Sequence, residues 1–285
     1  MPRRSTANEP QLKFYQKLIL NRYLLAQFGV SDLRELSVNM KKPSLEEGDG
    51  EGITGCYKQL ITQFEGKCAI SEDKLASYDL NIVSHMRKIN ERRFDPLVLK
   101  YFQYLSLLFV EFYLDEYFNN RPGLIDGLNA YVSDFNAQYP NDGYEPYGES
   151  DLNKIAVWNA TGSGKTIIMH INYHQYLHYS GGRLPEDATY ILLTPKEGLS
   201  LQHIEDYADS GISARIYDKS ASRWTQSAND ISVLENTKLG DKDQDTVVSV
   251  KRFGSRNVVF VDEGHRGSSS GKDGKWQKYM DELCS

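Results

Sequence analysis

From Ile155 to His174 the chain reads I-A-V-W-N-A-T-G-S-G-K-T-I-I-M-H-I-N-Y-H, and no other stretch restricts the fold so tightly. An apolar run ends at Trp158, a turn of small residues follows, and a helix opens at Lys165 or Thr166. Strand, glycine loop and helix in that order make a phosphate-binding turn. Gly162 and Gly164 let the backbone curl and turn successive N–H groups toward phosphate oxygens. The helix N-terminus brings partial positive charge to the same point. Lys165 is placed to reach the β- and γ-phosphates of ATP, and the Thr166 hydroxyl to ligate Mg2+. The common pattern G-x-x-x-x-G-K-S/T is not met at its first position, where Asn159 stands. Its remainder is carried by Ala160, Thr161, Gly162, Ser163, Gly164, Lys165 and Thr166.

The string N-V-V-F-V-D-E-G-H-R-G, beginning at Asn257, supplies the partner motif. The apolar run Val258–Val261 predicts a strand that delivers Asp262 at its carboxyl end. Phosphoryl transfer to water needs a metal holder and a group that aligns and deprotonates the nucleophile. Asp262 and Glu263 suit those two roles. Further strands are predicted at Tyr190–Thr194, Ala214–Tyr217 and Thr246–Val250, and helices at Thr166–Tyr179 and Gly198–Ser210. Near-continuous apolar strands alternating with helices predict an α/β fold, a parallel sheet covered by helices on both faces. Such a sheet binds its ligand at the carboxyl ends of the strands.

The chain before Asn153 has a different texture. Apolar residues at helical spacing predict helices over Leu12–Phe28, Ser31–Val38, Tyr57–Phe64 and Ser71–Arg93. Gly29 closes the first, and the acidic, Gly-rich stretch Pro43–Gly55 is a loop. Pro96–Phe118 is apolar almost all round, the pattern of a buried helix. Pro122 and Gly123 break it before a short helix over Leu124–Gln138. Tyr139–Asp151 is rich in Pro, Gly and acids and reads as a linker. The expected organisation is a helical accessory region at 1–95, a helical segment with linker at 96–151, and the α/β domain at 152–285.

Net charge is −6, from 33 Lys and Arg against 39 Asp and Glu. A basic nucleic-acid coat is therefore excluded, although a local basic patch is not. Basic residues outnumber acidic ones up to Lys42, and Arg87, Lys88, Arg92 and Arg93 cluster; solvated helix faces account for both. The cysteines Cys56, Cys68 and Cys284 form no C-x-x-C pair, which points to free thiols in a reducing compartment. No run approaches the ~20 apolar residues of a membrane span, and the basic N-terminus lacks the apolar core of a secretory signal. The cytoplasm, without a membrane partner, is the expected location.

Taken together, A-T-G-S-G-K-T and D-E-G-H resemble motifs I and II of the superfamily-2 helicases and translocases of the DExH kind. In texture they are similar to the motor subunits of type III and type I restriction enzymes. Leu193-Thr194-Pro195 with Leu199–His203 resembles motif Ia, which contacts a nucleic-acid strand in that family. Leu99-Lys100-Tyr101-Phe102-Gln103 resembles the helix whose glutamine reads adenine. An amide there both donates and accepts, which favours ATP over GTP. Gln103 stands unusually far before Lys165, and a paired polar residue buried in an aromatic helix is the other reading.

The resemblance implies a first RecA-like ATPase lobe at 152–285, with ATP and Mg2+ as cofactors. It implies Lys165, Glu263 and His265 as catalytic residues, His265 coupling nucleotide state to nucleic-acid binding. Ala160–Thr166 and Gln103 would bind nucleotide, and Thr166 and Asp262 the metal. It implies a nucleic-acid partner, double-stranded DNA, with modification or nuclease subunits in a restriction or phage-defence system. Motors of this kind need a second RecA-like lobe with an arginine finger. The chain stops soon after the acidic motif, so an N-terminal fragment is expected, able to bind nucleotide and poor at hydrolysing it alone.

The same two motifs also fit a P-loop ATPase or kinase of another class acting on a protein or small molecule, although no Arg-rich lid is evident. His170, His174 and His178 recur every four residues on one helix face. A metal site is one reading. No acid or cysteine shares that face, which favours a polar or packing role. Gly267–Lys275 reads as a flexible linker.

Overall fold

The computed structural model describes residues 12–46, 52–182, 189–220, 229–254, 256–264 and 275–284. The chain divides into two compact units, Met1–Asp79 with Asp115–Ile155, and Leu80–Leu114 with Ala156–Ser285.

The described part of the first unit is helical. It contains α1 (Ile19–Gln27), α2 (Leu33–Ser37), α3 (Gly55–Gln63), the start of α4 (Glu72–Asn90), the end of α5 (Tyr101–Asn119) and α6 (Arg121–Gln138). Side-chain caps set two of the starts: Arg34 N–H donates to Asp32, and Tyr57 N–H to the Thr54 hydroxyl. The helix predicted over Leu12–Phe28 is interrupted at Leu18, whose backbone is extended, so α1 begins only at Ile19. Pro122 lies in the first turn of α6. A missing N–H costs nothing there, so the predicted break is a helix start at Arg121. α1 packs on α6. Tyr23 meets Tyr131 edge-on at 5.9 Å, and the Arg22 guanidinium lies 4.9 Å from the Phe135 ring. Gly127 makes the approach possible, because a Cβ there would stand 2.7 Å from the Tyr23 ring.

The second unit is built on strands β1 (Tyr190–Thr194), β2 (Ala214–Ile216), β3 (Ile231–Glu235), β4 (Leu239–Gly240), β5 (Val248–Ser249) and β6 (Val258–Val261), with helices α7 (Lys165–Tyr179), α8 (Glu197–Asp209) and α9 (Lys275–Cys284). The main sheet runs β2-β3-β1-β6 with every pairing parallel. Side chains alternate across it as strand geometry requires. Tyr190 and Leu192 join Tyr173, Tyr207, Ile231 and Val233 in one core. Ile191 and Leu193 join Leu234, Val250, Phe253, Met280 and Leu283 in another. β1 is buried on both faces, so its apolar run is unbroken. Each fully buried Leu or Ile there contributes about 2 kcal/mol. The α/β class and the parallel sheet are those expected from the sequence.

Three elements differ from expectation. Ile155–Trp158 is not a strand of either sheet, and Ile155, Val157 and Trp158 are exposed by 40%, 39% and 83%. An apolar run becomes a strand only when a sheet edge takes up its backbone groups, and neither edge of the described sheet does so. Within Thr246–Val250 only Val248–Ser249 pairs, with β4 in a separate two-stranded sheet, and Val250 opens a 3-10 turn. β3 was not anticipated. Ser232 interrupts its apolar run, yet Ser232 is itself buried within the sheet.

Candidate nucleotide-binding site

The phosphate loop folds as its residues dictate. Ser163 N–H donates to Ala160 O at 3.2 Å, closing a turn, and α7 opens at Lys165. Gly162 and Gly164 sit at φ 74° and 77°, the left-handed region that side chains resist. At the start of α7 the Lys165 and Thr166 N–H groups have no acceptor inside the helix and are available to an anion.

The first half of α5 braces this loop. Gln103 Nε2 donates to Ser163 O at 2.8 Å, while Gln103 Oε1 accepts from Lys100 N at 2.8 Å. Ser106 Oγ lies 3.3 Å from the amide oxygen of Asn159, the residue standing where the common pattern has glycine. The structure thus brings Gln103 to the loop backbone, with both ends of its amide engaged within the protein. Ser106 was not singled out from the sequence. A polar residue recurring three positions after Gln103 in the otherwise apolar first half of α5 was the available signal.

This bracing makes Gly164 the more sensitive glycine. A Cβ at Gly164 would collide with the Gln103 amide, whereas one at Gly162 would meet no heavy atom within 4 Å. Gly162→Ala is expected to cost only the strain of a left-handed alanine, about 1–2 kcal/mol. Gly164→Ala is expected to weaken nucleotide binding further, by displacing Gln103. Titration with a fluorescent ATP analogue checks the order; equal losses would remove Gln103 from the account.

The acidic motif follows β6 directly. Asp262 N–H donates to Leu193 O at 3.0 Å, extending the β1–β6 ladder and setting Asp262 at the carboxyl edge of the sheet. Glu263 has φ 52°, and among the described residues only Arg256 and Glu263 are non-glycines at positive φ. Holding such a conformation costs about 1–3 kcal/mol, a strain that concentrates at functional sites. Lys165 Nζ stands 3.6 Å from Glu263 Oε1, so the loop and the acidic motif meet.

Asp262 is also paired. His203 Nε2 lies 3.1 Å from Asp262 Oδ2. That hydrogen bond is the main cause holding the Asp262 carboxyl below the usual carboxylate range; burial opposes it and the Lys165 charge assists it. His203 sits on α8, whose first turn is tied to the end of β1 by Thr194 Oγ1 and Ser200 Oγ, 2.6 Å apart. In the stretch similar to motif Ia, Leu193, Thr194, Ser200 and His203 are buried, and Lys196, Glu197, Leu201 and Gln202 are exposed. His265 lies outside the described residues, as does the predicted loop from Gly267 up to Lys275, where α9 begins.

The donors suit ATP and Mg2+. The Thr166 hydroxyl and the Asp262 carboxylate are hard oxygen ligands of the kind Mg2+ takes alongside phosphate and water. Ser163 Oγ is buried in the loop with no hydrogen-bond partner among the described residues, a donor suited to a phosphate oxygen.

The three α7 histidines go to different partners. His170 Nδ1 lies 2.8 Å from Ser210 Oγ, and its ring stacks on Tyr207 at 4.1 Å. His174 stacks with His85 at 5.8 Å. His178 Nε2 lies 3.3 Å from the Asn81 amide. No group of three or more His, Cys, Asp or Glu among the described residues is placed to hold a metal ion. Burial, the largest cause, lowers His170 to about 3 and His174 to about 4.

No curated protein matches the chain, and no solved structure does. The family described as type III restriction enzyme, res subunit, matches residues 125–284, a span that contains Lys165, Asp262 and the whole sheet and leaves Gln103 outside. With both motifs and the parallel sheet inside the matched span, the chain belongs to the type III restriction enzyme res subunit family and carries the domain of an ATP-dependent, helicase-like motor of superfamily 2.

Proposed function

We propose that this chain is the nucleotide-binding lobe of a motor that hydrolyses ATP with Mg2+ while engaged on double-stranded DNA. The observation that carries the reading is the 3.6 Å approach of Lys165 to Glu263. A phosphate-binding cation and a carboxylate able to act as base face one another. A triphosphate would draw Lys165 away from Glu263 and leave that carboxylate to accept the proton of the attacking water. The loop N–H groups and Lys165 hold the phosphates. Thr166 and Asp262 would hold Mg2+, which when bound would neutralise charge on the phosphates. Gln103 steadies the loop through its hydrogen bond to Ser163 O.

A second RecA-like lobe with an arginine finger completes the catalytic set, and His265 couples nucleotide state to the track. The DNA track and the modification or nuclease subunits rest on the family description. Of the accessory region proposed at residues 1–95, residues 80–95 belong to the same unit as the sheet. No helix among the described residues is long and apolar enough to cross a membrane, and the cytoplasm is the compartment proposed.

The test is ATP hydrolysis with Mg2+ by the natural-length protein without nucleic acid and with single-stranded DNA, double-stranded DNA or RNA. Double-stranded DNA is expected to stimulate most, and Lys165→Ala to lose Mg–ATP binding and all stimulation. A clear rate indifferent to every nucleic acid would overturn the motor reading in favour of a P-loop ATPase or kinase acting on a protein or small molecule.

A further inference from the structure

We propose that His203 is a positioning residue for the metal-holding carboxylate, its Nε2–H fixing Asp262 Oδ2 so that Oδ1 is kept for Mg2+. The inference rests on the reading of Asp262 as a metal ligand given above.

An ionised carboxylate only accepts hydrogen bonds, so Nε2 must carry the proton in the 3.1 Å contact. His203 Nδ1 is buried and has no partner among the described residues. A proton there would be a buried donor without an acceptor, so the Nε2–H tautomer is the one the surroundings keep. The ring is also held in place. His203 is only 4% exposed, and its ring lies 6.5 Å from that of Tyr207. Tyr207 in turn is stacked on His170. His170 is anchored through Ser210 Oγ, which also accepts from Arg93 Nη2 at 2.8 Å. The Thr194–Ser200 contact fastens the start of α8. A donor held this rigidly restricts rotation of the Asp262 carboxylate. Partners that orient a metal ligand in this way typically account for about 10–100-fold in metal affinity or activity.

A purely structural His–Asp contact, merely joining α8 to the end of β6, is what the test must separate. Mn2+ binding to the natural-length protein with a non-hydrolysable ATP analogue is titrated by electron paramagnetic resonance, with analogue binding in EDTA measured alongside. His203→Leu, which removes the donor, is expected to weaken Mn2+ binding about tenfold and leave metal-free analogue binding unchanged. His203→Gln, which restores an N–H near the same point, is expected to recover most of the loss. Asp262→Asn is the control on the underlying reading. If it weakens Mn2+ binding and His203→Leu does not, the positioning role is overturned and the metal ligand stands. If Asp262→Asn leaves Mn2+ binding unchanged, the ligand assignment fails and this inference with it. Equal loss in His203→Leu and His203→Gln, tracking a lower melting temperature, would mark the contact as structural and also overturn the proposal. Should His203→Leu fail to fold, His203→Asn, whose amide is too short to reach Asp262, takes its place.

Discussion

Glu263→Gln is expected to keep Mg–ATP binding and to slow turnover in the natural-length protein by about 10²–10⁴-fold, the usual contribution of a positioned general base. The amide preserves shape and loses the basic lone pair. It also removes the negative charge that faces Lys165 at 3.6 Å, so nucleotide affinity is expected to hold or rise. Single-turnover hydrolysis and analogue binding, measured side by side, check both halves. Normal turnover in the Gln variant would sink the assignment of Glu263 as base. The backbone offers a second readout. Glu263 sits at φ 52°, so Glu263→Gly is expected to stabilise the fold by about 1 kcal/mol while abolishing turnover. A position whose native residue both strains the chain and is required for the rate is one kept for chemistry.

Acidification is expected to destabilise the protein steeply, well before its carboxylates protonate. Burial lowers His85 and His170 to about 3 and His174 to about 4, against an ordinary value near 6.5. Once the pH falls below about 6.5 the unfolded chain takes up protons that the folded chain refuses. The stability these groups contribute is therefore fully present above that value and is lost progressively down toward 4 and 3. At pH 5, His170 alone accounts for about 2 kcal/mol. His85 and His174 act in the same direction. Lys88 and the neighbouring imidazoles add to the effect of burial at His85, while Glu111, 3.8 Å from His85 Nε2, opposes it. The whole loss is a large share of the 5–15 kcal/mol typical of a folded domain. Urea denaturation at pH 7.5, 6.5 and 5.0 measures it, and His170→Asn is expected to narrow the gap between the first and last. A flat stability across that range would mean these histidines are not held neutral. Asp115 and Asp262, both lowered, extend the loss in the same sense below about pH 4.

The sequence by itself determined the glycine turn ahead of α7, because every requirement of that turn is local. Gly162 and Gly164 meet its positive φ values, and the strand-like run and helix that flank it lie within a few residues. It likewise determined β1, β6 and the α/β class, since an unbroken apolar run such as Tyr190–Thr194 records burial on both faces in the residues themselves. Strand order could not be read there, nor the fate of Ile155–Trp158, because pairing depends on which edges are free rather than on the run. β3 was within reach: a short run of β-branched and apolar residues between Asn229-Asp230 and Asn236 is a strand signal that Ser232 obscured. Only the tertiary structure decided what surrounds the site. Gln103 meets Ser163 across 60 residues and His203 meets Asp262 across 59. A side-chain pair so far apart along the chain leaves no periodicity or spacing to read, and His203 in sequence looked like one more residue of a nucleic-acid-contacting stretch. Its contact with Asp262 follows from the packing of α8 on the sheet, which turns the ring inward onto the carboxylate.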